Sequence, residues 1–190
     1  GFTHAIRYEQ TDAPGNFLAV YHLDNLSALQ TEAYRELKES PSELTRDMLE
    51  SVSGFTRYIT ELLSDTGFVG PQVPKVLYVV AFAVPEEDEK EFDSWYADEH
   101  VPLLMKVPGW LRVRRYRTLP GHSGPSWTHF ALHELESEEA LSAPERDAAR
   151  ATARREKLAK KDWFDAGRWV FSPIHFDEAK ASSDSSKTKG

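Results

Sequence analysis

The clearest change of pattern along the chain begins at residues 75–84, KVLYVVAFAV, which are β-branched and aromatic with almost no polar position. Such a run predicts a central strand buried on both faces. From 86 to 106 the spacing changes, with Phe92, Trp95 and Tyr96, Glu99 and Leu103 separated by steps of three or four. That is one stripe of a helix, and Pro85 with Glu86-Glu87-Asp88 sits where a helix N-terminus prefers proline and acid. Residues 110–118 and 127–135 alternate as strands, and the loop 119–126 between them carries Pro120-Gly121 and Gly124-Pro125 as turn chemistry. A helical stretch over 137–161 and a closing strand over 169–176 complete a strand, helix, strand, strand, helix, strand unit.

Residues 2–8, 17–23, 26–52 and 55–63 read as the last four of those same six elements. The likeness extends to residue types. Gly1-Phe2 and Arg7-Tyr8 fall opposite Gly109-Trp110 and Arg115-Tyr116 at a shift of 108, and Ala19 to Asp24 falls opposite Ala131 to Glu136 at a shift of 112. The expected organisation is a partial unit over 1–65, a Gly- and Pro-containing linker over 66–74, a complete unit over 75–177 and a disordered tail over 178–190. On this spacing the counterpart of 75–108, about 35 residues, is expected to precede residue 1. The unpaired sheet edge that results predicts a homodimer formed through that edge.

A unit of this order is the ferredoxin-like βαββαβ plan, an α+β fold with helices on one face of an antiparallel sheet. Two such units packed through their sheets make a dimeric α+β barrel within one chain. The stretch Phe92-Asp93-Ser94-Trp95-Tyr96-Ala97-Asp98-Glu99-His100-Val101-Pro102-Leu103, followed by Val107-Pro108-Gly109-Trp110 and Arg115-Tyr116, resembles the EthD-like branch of these barrels. Its first helix carries W-Y-x-x-E-H-x-P and its second strand opens with V-P-G. The resemblance implies a small hydrophobic or aromatic ligand held between sheet and first helix. For an enzyme it implies cofactor-independent chemistry of the dehydratase, isomerase, cyclase or monooxygenase kind on an aromatic or polyketide-like ketone. The alternative is a barrel that binds a ligand or assembles without turnover. Haem, which related barrels hold, is a lesser expectation; no cofactor is predicted.

Charge and composition narrow the partners. The 190 residues carry 31 acidic and 23 basic side chains, a net charge of −8, which repels a polyanion and argues against nucleic acid. The absence of cysteine excludes disulfides, a thiolate nucleophile and Cys-ligated zinc, and suits a cytoplasmic setting. No apolar run approaches the roughly 20 residues of a membrane-spanning helix. A Gly-rich phosphate loop, G-x-S-x-G and H-E-x-x-H are all missing.

His100 is the first candidate for chemistry, since imidazole titrates near neutrality. Pro102 is expected to end or kink the helix beside it, and a helix C-terminus there favours the imidazolium form. Tyr96 stands four residues before His100 as a donor toward a substrate carbonyl. Glu99 shares the apolar stripe and needs a partner or a function: an ion pair with Arg114 or Arg115 on the next strand, or a catalytic role orienting His100 or polarising a carbonyl. Trp95, His129 and Arg112 are the candidate substrate contacts, with Arg112 or Arg114 as holder of an anionic group. Alternation places His129, Ala131 and His133 on one face of their strand, with Phe130 and Leu132 on the other. No metal site is predicted, because a compact third ligand is not apparent. The basic run from Arg146 to Lys161 reads as a solvated helix face.

Overall fold

The computed structural model describes residues 1–68 and 74–174. The chain runs through β1 (Phe2–Gln10), β2 (Phe17–Leu23), a 3-10 turn (Leu26–Gln30), α1 (Glu32–Glu39), α2 (Glu43–Ser51) and β3 (Thr60–Gly67). It continues with β4 (Val76–Phe82), α3 (Glu86–Trp95), a π turn (Tyr96–His100), α4 (Val101–Leu104), β5 (Trp110–Thr118) and β6 (His129–Leu135). A 3-10 turn (Glu138–Ser142), α5 (Pro144–Arg150), α6 (Ala153–Leu158), a further 3-10 turn (Asp162–Phe164) and β7 (Gly167–Pro173) close it.

The strands make one antiparallel sheet in the order β2-β1-β7-β4-β6-β5-β3. Its inner four, β7-β4-β6-β5, are the ferredoxin-like arrangement expected of a strand, helix, strand, strand, helix, strand unit. β1 extends it by pairing with β7, and β3 extends the opposite side by pairing with β5. The sheet curls strongly: His22 on β2 comes within 3.1 Å of Arg114 on β5 although four strands lie between them. The fold is the α+β, ferredoxin-like barrel plan.

Each face of the sheet has its own core. Tyr78, Val80, Phe82, Val113, Ala131 and Leu135 meet Phe92, Trp95, Tyr96, Val101 and Leu104 from the helices. On the concave face Tyr8, Leu77, Val79, Leu132 and Phe171 pack together, with Ile6, Leu18 and Val20 of the hairpin against them. All seven residues of β4 are buried, which accounts for a strand with no polar alternation.

Several elements are shorter than periodicity alone suggested. The helical stretch over 26–52 divides at Thr31 and Ser42, whose side chains cap α1 and α2 by accepting from the backbone N–H groups of Tyr34 and Thr45. The stretch over 137–161 divides likewise, with Pro144 at the start of α5 and Thr152 capping α6. The strand expected over 55–63 lies at Thr60–Gly67, because β5 offers a continuous partner only from Thr118 inward; before it Arg57 makes a lone bridge to Ser123. β3 thus runs two residues into the expected linker 66–74, of which 69–73 lie outside the described residues, as does the tail 178–190. Among the described residues no helix is long and apolar enough to cross a membrane.

Candidate functional site

Pro102 does not stop the helix. Proline removes one backbone donor, and its ring collides with the carbonyl four residues back, here Asp98. The chain absorbs both by widening one turn: the Val101 N–H bonds to the Tyr96 carbonyl, five residues back, and α4 resumes with Pro102 in its first turn. This geometry decides where His100 sits. In a regular α-helix a residue five positions on lies about 140° around the axis. Across the π turn, Trp95 and His100 instead stack, with ring centroids 4.7 Å apart and planes 22° from parallel. Tyr96 meets the same imidazole edge-on at 5.0 Å.

The floor of the site is set by a bulge. Trp110 pairs with Leu135 and Arg112 with Glu134, so two steps on β5 oppose one on β6 and Leu111 is the extra residue. The bulge turns Trp110 to the helix face, where strict alternation with Arg112 would have sent it to the concave face. Gly67 at the end of β3 packs against this bulge; a Cβ there would lie 2.4 Å from the Leu111 carbonyl oxygen, and its φ is +101°. From this position Trp110 Nε1 donates to His133 Nδ1 at 3.2 Å, and His133 Nε2 lies 3.2 Å from the Tyr96 hydroxyl. An indole N–H only donates, so Nδ1 accepts, the neutral ring carries its proton on Nε2, and Tyr96 oxygen receives it. The hydroxyl hydrogen of Tyr96 is left for another acceptor.

Tyr96, His100, Trp110 and His133 line one cavity between sheet and helices, about 40 Å³ for the centres of water-sized bodies, room for about three waters. Burial dominates its electrostatics. It pushes the Tyr96 phenol well above its usual range, holding it neutral. It holds His133 well below the usual imidazole range, and the neighbouring His100 adds to this. His100 falls to about 4, first through burial and then through the positive charges of Arg155, Arg150 and Arg146, against the opposing pull of the Ala149 carbonyl. The expected imidazolium at a helix C-terminus is therefore corrected: the helix does not end at His100, and burial, reinforced by the arginines, disfavours the charged ring. His100 Nδ1 is buried without a hydrogen-bond partner.

The other candidates separate. Trp95 is buried in the cavity wall behind His100. Glu99 does not line the cavity, and its partner is neither Arg114 nor Arg115; it accepts from the Thr152 hydroxyl at 2.5 Å and so ties the π turn to the N-terminus of α6. Arg115 pairs with Asp93 and lies over the Tyr96 ring at 4.7 Å, and Arg114 pairs with Glu134 on the concave face. His129 is on the helix face as alternation required, yet it belongs to a second, tighter pocket with Phe92, Arg115 and Tyr116. Its Nδ1 is 3.0 Å from Thr128 Oγ1 and its Nε2 4.0 Å from Asp93. Arg112 is not at the cavity at all: it holds Asp65 of β3 through two hydrogen bonds.

Four residues that the linear pattern did not select complete the mouth. Arg146 and Arg150 of α5, Arg155 of α6 and Arg168 of β7 line the cavity, so part of the basic run turns inward and is not merely a solvated face. Its spacing offered a signal: Arg146 and Arg150 are one turn apart, on the side of α5 whose Ala149 is buried. Among the described residues no group of three or more His, Asp or Glu is placed to hold a metal.

No protein-family model matches the chain, and no curated protein matches it. Solved structures do. An anthrone oxidase-like protein overlies 92% of this chain and 78% of its own at a TM-score of 0.65 and 14% identity. A candidate monooxygenase from Lactobacillus acidophilus NCFM overlies 89% and 76% at 0.53 and 10%. An EthD family protein from Bacillus halodurans C-125 overlies 50% of this chain and 95% of its own at 0.33 and 20%, a likeness that carries no weight. At these identities the shared feature is the barrel fold, and the EthD-like branch within it is not assigned by structure.

Proposed function

We propose that the chain is a small-molecule-binding barrel, nearest the EthD-like branch and built from two units of one plan, in which His100 moves a proton on an aromatic or polyketide-like ketone without a cofactor. The observation that carries this reading is the meeting in one cavity of a neutral imidazole with an unpartnered Nδ1 and a phenol whose oxygen is already supplied with a hydrogen bond. The W-Y-x-x-E-H-x-P pattern gains a physical sense here: Trp95 backs the imidazole, Glu99 anchors the turn on Thr152, and Pro102 forces the widening that brings His100 inward. Tyr96 donates to the ketone oxygen, and His100 Nδ1 takes a proton from the adjacent carbon. The C–H electron pair enters the enolate, whose charge the Tyr96 hydrogen bond supports. Return of the proton at another atom isomerises the substrate; its delivery from His100 to a β-hydroxyl, which leaves as water while the enolate collapses to the enone, dehydrates it. Anthrone, in the name of one neighbour, is an aromatic ketone and suits this class.

The test is exchange of α-protons for deuterium in a panel of aryl ketones, followed by NMR. His100→Ala is expected to slow exchange by about 10²-fold or more, the usual worth of a general base, and Tyr96→Phe by less. The narrowness of the cavity favours a second reading, a binding barrel without turnover. Binding of a ketone with no exchange in the unmodified protein decides for it. The free edges β2 and β3 are proposed as the contact of a homodimer.

A further inference from the structure

Building on that reading of the cavity, we infer that its ligand is an aromatic carboxylate, its ring against Tyr78, Trp95 and Trp110 and its carboxylate received by Arg146, Arg150, Arg155 and Arg168. The four arginines come from three elements to line one opening. In a chain with a net charge of −8, none of the four has a carboxylate within ion-pair distance among the described residues. The arginines of β5 differ: Arg112, Arg114 and Arg115 each have one, and Arg117 has two.

Three of the four are also held in place. Arg146 lies over the Tyr78 ring at 5.6 Å and donates to the Leu141 carbonyl, and Arg155 lies over Phe164 at 5.4 Å and donates to the Arg150 carbonyl. Arg168 donates to the Ala166 carbonyl at 2.9 Å. Each of these bonds uses one of five N–H donors in a fork that matches a carboxylate. Their mutual repulsion is real: Arg155 is lowered by burial and then by Arg150, Arg168 and Arg146. Arg150 and Arg168 are exposed and partly relieved by water, whereas Arg146 and Arg155 are half-buried, and an anion seated between them relieves their repulsion. The room available fits one ring more readily than three.

The carboxylate also bears on the base. The charged and titratable groups facing His100 are Arg146 and Arg150 from α5, Arg155 from α6, Arg168 from β7, His133 from β6 and Tyr78 from β4, besides its neighbour Tyr96. An anion seated among the arginines cancels their field at the imidazole, so substrate binding strengthens His100 as a proton acceptor.

The experiment compares 4-acetylbenzoate with its neutral methyl ester by calorimetry and by NMR of the histidine ring signals. The acid is expected to bind at least tenfold more tightly and to raise the His100 midpoint, and the double variant R146Q/R155Q to lose that preference while still binding the ester. R117Q, whose arginine serves Glu61 instead, keeps it. Equal binding of acid and ester, with α-proton exchange intact, overturns the carboxylate assignment and leaves the proposed function standing. Tighter binding of 4-acetylphenyl phosphate than of the acid overturns it as well. Failure of every ligand to bind, with no exchange, overturns both.

Discussion

Residues 2–67 and 76–173 contribute strands to the same sheet, yet α3 of the second stretch packs on it as α1 of the first does not. α3 buries Phe92 and Trp95 against β4 and β6, whereas α1 has no buried residue. Among the described residues the exposed large hydrophobic side chains all fall between Phe2 and Phe68, including Phe17, Leu37 and Phe55, each about two-thirds exposed. Both stretches carry apolar residues at strand and helix spacing. What separates them is whether a second layer is present to meet those residues, and the cavity with its perturbed side chains lies in the stretch where one is. Burial is the first cause of the shifts at Tyr96, His100 and His133. The first stretch produces such a shift where it joins the concave core, as at Tyr8, whose phenol burial pushes up to about 12.

This contrast is open to direct attack. Phe92→Ala is expected to cost about 3–5 kcal/mol in denaturant unfolding, and Phe17→Ala no more than about 0.5. A cost at Phe17 close to that at Phe92 would mean that a second chain covers the hairpin in solution, and the contrast would dissolve. Next in size is the buried pair Arg114–Glu134, where Glu134→Ala strands a guanidinium and is expected to cost about 3 kcal/mol. The exposed pair Arg117–Glu61 serves as its control, and Glu61→Ala should leave the unfolding midpoint near its original value.

The covered region also carries a pH signature. His100 is lowered to about 4 in the folded chain, and in the unfolded chain it returns to about 6.5. The unfolded state therefore binds the extra proton first. Stability is full above about pH 6.5, falls as pH drops toward 4, and loses about 3 kcal/mol from this residue over that interval. His133 acts in the same direction. Unfolding midpoints measured from pH 7 to 4 should show a slope that His100→Gln makes shallower; an unchanged slope would place the histidine in water. The smallest effect concerns the edges: Leu62→Lys in β3 is expected to reduce self-association in sedimentation without measurable loss of stability.

Sequence periodicity conveyed the strands of the covered region because those strands are buried and regular. β4 and β6 appear with alternation or continuity intact, and the pairing of His129 with His133 on one face followed from the pleat alone. Helix limits were less legible, since Thr31, Ser42 and Thr152 interrupt long helical stretches through side-chain bonds that hydrophobic spacing does not register. At the site, Trp95, Tyr96 and His100 were legible from their clustering before a proline. Trp110 was hidden by the Leu111 bulge, which reverses its face, and Arg112 was misplaced because its partner Asp65 is 47 residues away in sequence. The arginines of α5 and α6 were read as solvated because charge runs usually are. Only tertiary packing tells which of their sides faces inward.

The π turn has a consequence for the ancestry and engineering of the pocket. A helix that spends five residues on one turn holds one more residue than it needs to span the same rise. Deleting a single position between Trp95 and Val101 would let the segment wind as an ordinary α-helix, with its ends, its packing on β4 and its overall length little altered. The imidazole would then leave the indole and face elsewhere. Two chains differing by that one residue would share a fold and most of a core, and only one of them would hold a histidine in its cavity.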